Sequence, residues 1–205
     1  MKTWNDFLPA VRLHLPGCPE FTVEDAIRTA AIEFCSRTRV WRGKRVSIAT
    51  TVAGQNEYSF LDNPEDAGLN SIQAAWIGKC EIATETPGDD IDYYPGQTDN
   101  DYRIGIVGRA TVSLDPAPKN DGEVITATVS YAPTEVAYGI ADALYFRWHE
   151  AIEKKAMHDL MIQMGKPWSN PQMAVFNLAR WEKLKDEAAN SAGPARKYNL
   201  RVRPW

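Results

Sequence analysis

Arg37-Thr38-Arg39-Val40-Trp41-Arg42-Gly43-Lys44-Arg45-Val46-Ser47-Ile48-Ala49-Thr50-Thr51-Val52 is the stretch on which the fold turns. Before it, apolar residues follow a helical period, and from Arg45 onward they follow a period of two. Upstream, Val23, Ala26, Ile27, Ala30, Ala31, Phe34 and Cys35 recur at i, i+3, i+4, i+7 and i+8, the signature of one buried helix face. Thr22 and Asp25 read as its start, and the small residues Ala26, Ala30 and Ala31 let a partner helix approach closely. Further out, Thr3 and Asp6 resemble a capping box for a helix running to Leu15, kinked or shortened by Pro9 and ended by Pro16-Gly17.

Downstream, Val46–Val52 and Tyr58–Phe60 read as a short hairpin-like pair across Ala53-Gly54-Gln55-Asn56. Ser71–Ile77, Tyr102–Val107, Ala110–Leu114 and Val124–Tyr131 are four more strand candidates, punctuated by turns at Gly108-Arg109 and Lys119-Asn120-Asp121-Gly122. Helical spacing returns from Val136 to about Gly165. A last helix opens at Ser169-Asn170-Pro171, continues through Met173, Phe176, Leu178, Trp181 and Leu184, and stops at Gly193-Pro194. The expected class is therefore α+β: a helical bundle with an inserted small antiparallel β-sheet and an extended C-terminal arm. Residues 1–44 and 134–192 supply the bundle, 45–133 the inserted sheet and 193–205 the arm.

Charge divides the chain differently. The net charge of −4 combines residues 1–192, with 19 bases against all 27 acids, and the last thirteen residues, with four bases and no acid. A charged terminal block of this kind reads as an interaction arm rather than as part of a fold. The opening residues lack the apolar run of a signal peptide, and no stretch has the length of a membrane span, so the expectation is a soluble protein made in the cytoplasm, with no membrane partner. Cys18, Cys35 and Cys80 are odd in number and without CxxC spacing, which suits neither a disulfide framework nor a zinc site.

Residue patterns for catalysis are weak. His149 and Glu153 are i, i+4 on a helix, but a zincin needs a second His where Glu153 stands. None of His14, His149 and His158 sits beside a nucleophile motif, and Gly105, Gly108 and Gly122 punctuate hairpins without a phosphate-loop Lys. The reading is of a protein without catalytic residues, metal or cofactor.

Three charged segments remain. Arg37, Arg39, Arg42, Lys44 and Arg45, with Trp41 among them, form a basic patch that could face DNA phosphates or simply meet the end of a helix dipole. Glu81 to Asp101 holds seven acids and no base; within it Asp89, Asp90, Asp92, Tyr93 and Tyr94 read as a solvated loop whose aromatics suit a protein contact. At the end, Arg196, Lys197, Tyr198, Leu200, Arg201, Val202, Arg203 and Trp205 alternate apolar with polar or basic positions. A strand-like segment at a chain end can add to the sheet of another chain.

Three segments carry a resemblance: Ala30-Ala31-Ile32-Glu33-Phe34-Cys35 followed by Trp41, Gly165-Lys166-Pro167-Trp168-Ser169-Asn170-Pro171, and Leu200-Arg201-Val202-Arg203-Pro204. Together, in order and spacing, the chain resembles the head-to-tail adaptor proteins of tailed bacteriophages. The resemblance implies a virion component that forms a ring, typically a dodecamer, beneath the portal. The arm would bind the portal, the loop with Asp89, Asp90, Asp92, Tyr93 and Tyr94 would face the next tail component or the channel, a downstream tail or neck protein would follow, and genomic DNA would pass through without sequence-specific binding. The alternatives are another neck component, a stopper or tail terminator, or a sequence-indifferent DNA-binding protein.

Overall fold

The computed structural model describes residues 1–60, 64, 66–85 and 102–193. Its strands are β1 (Lys2–Thr3), β2 (Arg42–Thr50), β3 (Glu57–Ser59), β4 (Ala67–Ile77), β5 (Cys80–Thr84), β6 (Arg103–Gly108), β7 (Thr111–Asp115), β8 (Val124–Pro133) and β9 (Gly139–Ile140). Its α-helices are α1 (Leu8–Arg12), α2 (Glu20–Thr38), α3 (Asp142–Met161) and α4 (Pro171–Ala192).

The described strands form a seven-stranded sheet in the order β2-β8-β4-β5-β6-β7-β3, with β1 and β9 paired separately. This overturns the expected helical bundle with a small antiparallel insert. The sheet is large, mixed and curled into a half-barrel, and the helices cover one part of it. Its strands are antiparallel except β5 and β6, which pair in parallel through Ala83↔Arg103 and Thr84↔Ile104. The expected hairpin of Val46–Val52 with Tyr58–Phe60 does not form. Instead β2 pairs with β8, and β3 with β7 on the far side of the half-barrel. Local alternation identifies strands but carries no information about long-range partners, which explains the error.

Curvature comes from irregular pairing. Register shifts interrupt β2 between Gly43 and Val46 and again between Ser47 and Ala49, and β4 has two shifts opposite β8. Each such bulge increases local twist and bends the strand. The concave interior is filled by Tyr58, Ile82, Ile104, Val112, Leu114, Ile125, Ala127 and Val129, all buried. Each large side chain buried there contributes about 1.5–3 kcal/mol.

The helical layer packs against β8. Phe34 of α2 meets Trp148 of α3 with ring centroids 6.0 Å apart, and Trp181 of α4 is buried beside them. The N-terminal segment is tied to the loop after β8, where the Trp4 indole donates to the Ala137 carbonyl at 2.6 Å. The expected first helix shortens to a 3-10 turn at Trp4–Asp6 and five residues of α1. Asp6 accepts from the Thr3 N–H at 2.8 Å, as a capping box requires. Helix α2 begins at Glu20 rather than at Thr22. At α4 the start matches the sequence: Asn170 accepts from the Met173 N–H and Pro171 takes the first helical position.

Candidate functional site

Helix α2 ends where Arg39 enters the left-handed region at φ 55°, its N–H donating to the Cys35 carbonyl at 2.9 Å. Glycine usually holds such a position, because a Cβ there clashes with its own backbone. Six residues on, Arg45 also has positive φ, 47°. Two arginines in strained conformations within seven residues set the course of the chain from helix to sheet. Between them Gly43 is required for another reason: a Cβ there would come within 2.8 Å of the Tyr131 hydroxyl and of Val46.

This path scatters the basic patch read from the sequence. Arg37 turns onto the helices, where it pairs with Glu33 at 2.8 Å and lies 5.8 Å from the Trp181 ring. Arg45 lies over Trp76 of β4 at 4.6 Å, a cation–π contact. Arg39, Arg42 and Lys44 stay together around the last turn of α4. Arg42 Nε donates to the Arg39 carbonyl at 3.1 Å. Burial first, and then the charge of Arg39, holds the Arg42 guanidinium below its ordinary range.

Two grooves flank Arg42. One, of about 620 Å³, is walled by Arg37, Arg39, Ile72, Thr84, Thr128 and Gly193 among others. The other, of about 330 Å³, lies beside β2 between Lys44, Leu144, Arg147, Trp148 and Ala192. Arg147 is the cation that sequence reading missed. It stands on α3, about a hundred positions from Lys44, and only the packing of α3 against the end of α2 brings it there. Both grooves border the last turn of α4, from which residues 194–205 depart.

The arm residues Arg196, Lys197, Tyr198, Leu200, Arg201, Val202, Arg203 and Trp205 lie outside the described residues, as do Asp89, Asp90, Asp92, Tyr93 and Tyr94. Their points of departure are described: Gly193 after α4, and Thr84 and Arg103 on the parallel pair of β5 and β6.

The other candidates are structural. His149 Nδ1 sits 3.0 Å from the Tyr145 carbonyl, and burial pushes the Glu153 carboxyl up. The Cys35 thiol lies in the core, where burial pushes it up to about 12, so it is held as the unreactive thiol. Among the described residues no three His, Cys, Asp or Glu side chains gather as a metal site, and no helix is long and apolar enough to cross a membrane.

The distinctive chemistry of this fold is on its exterior: charged grooves beside an end strand, at the root of a basic terminal segment. Arginine-rimmed grooves of this kind suit contact with other polypeptides. The chain belongs to the SU10 adaptor protein family, whose model matches residues 2–204. This is a bacteriophage head-to-tail adaptor family, so the protein is a structural component of the virion. No curated protein matches the sequence.

Proposed function

We propose that the protein forms a ring beneath the portal, a dodecamer as its family resemblance implies, and that Arg196–Trp205 is the arm that binds the portal. The observation that carries this reading is where the arm starts. Helix α4 ends beside β2, an end strand of the sheet and the nearest template for a strand-like segment. That strand is bulged at Gly43/Val46 and carries Arg42, Lys44 and Arg45. Bulges and cations are the means by which edge strands refuse new partners. The arm brings Arg196, Lys197, Arg201 and Arg203 and no acid. Like charges about 5 Å apart in water repel by roughly 1 kcal/mol per pair. Folding back onto its own sheet is therefore disfavoured, and the arm is kept for a chain of opposite charge.

The acidic body suits the path of DNA. With 27 acids against 19 bases before residue 193, a lumen lined by such copies offers phosphates few cationic partners, so DNA slides through without being held. A downstream tail or neck protein completes the connection.

Deleting residues 194–205 tests the arm. The truncated protein keeps its melting temperature, because the described core is built from residues 4–192, and fails to attach to portal-bearing heads. Normal attachment by the truncated protein would remove the arm from this reading.

A further inference from the structure

We propose that the groove between the start of β2 and the start of α3 docks an extended acidic segment of a partner protein, one with carboxylates at alternate positions and apolar residues between them. The contact is separate from the arm and does not depend on ring formation.

The groove, of about 330 Å³, is lined by Arg42 and Lys44 of β2 and by Ala143, Leu144, Arg147 and Trp148 of α3, among others. Arg42 and Lys44 are two positions apart on one strand, which sets them on the same side of it, roughly 7 Å apart. Arg147 comes from the helix and lies 5.0 Å from the Trp148 ring. Leu144 and Trp148, 7% and 5% exposed, line the groove from the core side. Cations and apolar surface therefore meet in one recess.

Among the described residues, no carboxylate lies within ion-pair distance of Arg42, Lys44 or Arg147. The acids closest to Arg147 in sequence on either side are engaged. Glu150 holds Arg180 at 2.8 Å, and Asp142 holds the amino group of Met1 at 3.0 Å. The body around these three cations carries 27 acids against 19 bases, so the groove is of opposite sign to its surroundings.

Charge selects the occupant. The chain's own last thirteen residues bring four bases and no acid, and the groove repels them. Duplex DNA fits less well: Leu144 and Trp148 offer its phosphates nothing, and the acidic body repels polyanions. An extended acidic segment meets both halves of the recess. Its side chains on one face repeat every two residues, the spacing of Arg42 and Lys44, while those on the other face can cover Leu144 and Trp148. The cations by which β2 turns away a basic strand admit an acidic one.

Fluorescence polarisation of the full chain with a short labelled peptide of alternating glutamate and leucine tests the site. The peptide binds saturably at low salt and more weakly at high salt. Lys44 and Arg147 are exposed, so K44E/R147E changes the groove without touching the core, and it weakens binding about tenfold or more. A143E adds one acid at an exposed position in the first turn of α3, leaves every cation in place and weakens binding about threefold. K79E/K119E makes the same change of net charge in the loops after β4 and β7, beside the far end of β2, and leaves binding unchanged. Melts matching the wild type verify that each variant is folded. Five results overturn the proposal. The first is no binding by the wild type, as when the chain's own acids fill the groove. The second is K79E/K119E as weak as K44E/R147E, which reduces the effect to overall charge. The third is polyglutamate of the same length binding as well as the alternating peptide, which removes the apolar half. The fourth is duplex DNA bound more tightly than the peptide and released by K44E/R147E, which makes the groove a nucleic-acid site. The fifth is self-association of the wild type abolished by K44E/R147E, which gives the groove to a second copy.

Discussion

The two ends of the helical layer are built from the same three helices and have opposite chemistry. At one end α2 stops, α3 starts and α4 stops, and there Arg39, Arg42, Lys44 and Arg147 surround two grooves. At the other end α2 starts, α3 stops and α4 starts, with Gly17 packed near Pro167. That end leaves Leu13, Phe21, Ile162, Met164, Met173 and Phe176 exposed, and of the charges among them Arg12 and Glu20 pair with each other at 2.7 Å, with Lys166 an exposed cation between α3 and α4. The difference teaches that the molecule is polar along its helices. On the ring reading proposed above, unlike ends suit unlike neighbours above and below.

The largest expected effect lies between the ends, at the residue that holds them in one body. Trp181 is buried, and Arg37, Lys155 and Lys185 lie within 6 Å of its ring. Trp181→Ala removes both the packing of α4 on α2 and the cation–π contacts. It should cost about 3–5 kcal/mol. A urea melt measures this, and a loss below about 1 kcal/mol would mean that α4 is held by something other than this side chain.

Helices were legible in the sequence where their signals are local. The apolar stripe of α2, the Asn170-Pro171 start of α4 and the stop at Gly193 each depend on neighbours a few positions away, and each is found in the fold. The sheet was legible only in pieces. Alternation marked β2, β3 and β8, but β2 and β3 follow each other along the chain and pair with residues 52 to 88 positions further on. Strand β5, Cys80–Thr84, was passed over because Cys80-Glu81 opens it without an apolar run. The candidate site shows the same division. Arg39, Arg42 and Lys44 could be read as a cluster because they adjoin in sequence. Arg147 could not, and neither could the departure of Arg37 and Arg45 to separate aromatic partners, since both follow from tertiary packing.

Next in size are the caps, one at each end, and their signs are opposite. At the apolar end Asn170 satisfies the Met173 N–H at 3.2 Å, so Asn170→Ala should destabilise by about 1 kcal/mol. At the cationic end Arg39 occupies a position that favours glycine. Its exposed side chain forms no ion pair among the described residues. Arg39→Gly should therefore stabilise, by about 0.5–1 kcal/mol, while weakening any contact made by the grooves. Thermal melts of the two variants read the signs directly. A destabilising Arg39→Gly would mean that the arginine is kept for the fold and not for a partner, and the contrast between the ends would lose its functional sense.

The smallest effect is expected at the apolar end itself. Phe176 is 61% exposed on the first turns of α4, on the side away from Ala174 and Asn177, which face the layer. Phe176→Ser removes an aromatic ring that contributes little packing, so stability should change by no more than about 0.5 kcal/mol. The variant should also bind less of an apolar dye such as ANS, because the exposed ring belongs to a patch rather than standing singly. A melt that falls by 2 kcal/mol or more would show that Phe176 packs within its own chain and that the apolar end is partly closed. A neutral melt with weaker dye binding means the opposite: the fold is complete without that ring, and the apolar surface is surplus to the monomer, as the cationic grooves are at the other end.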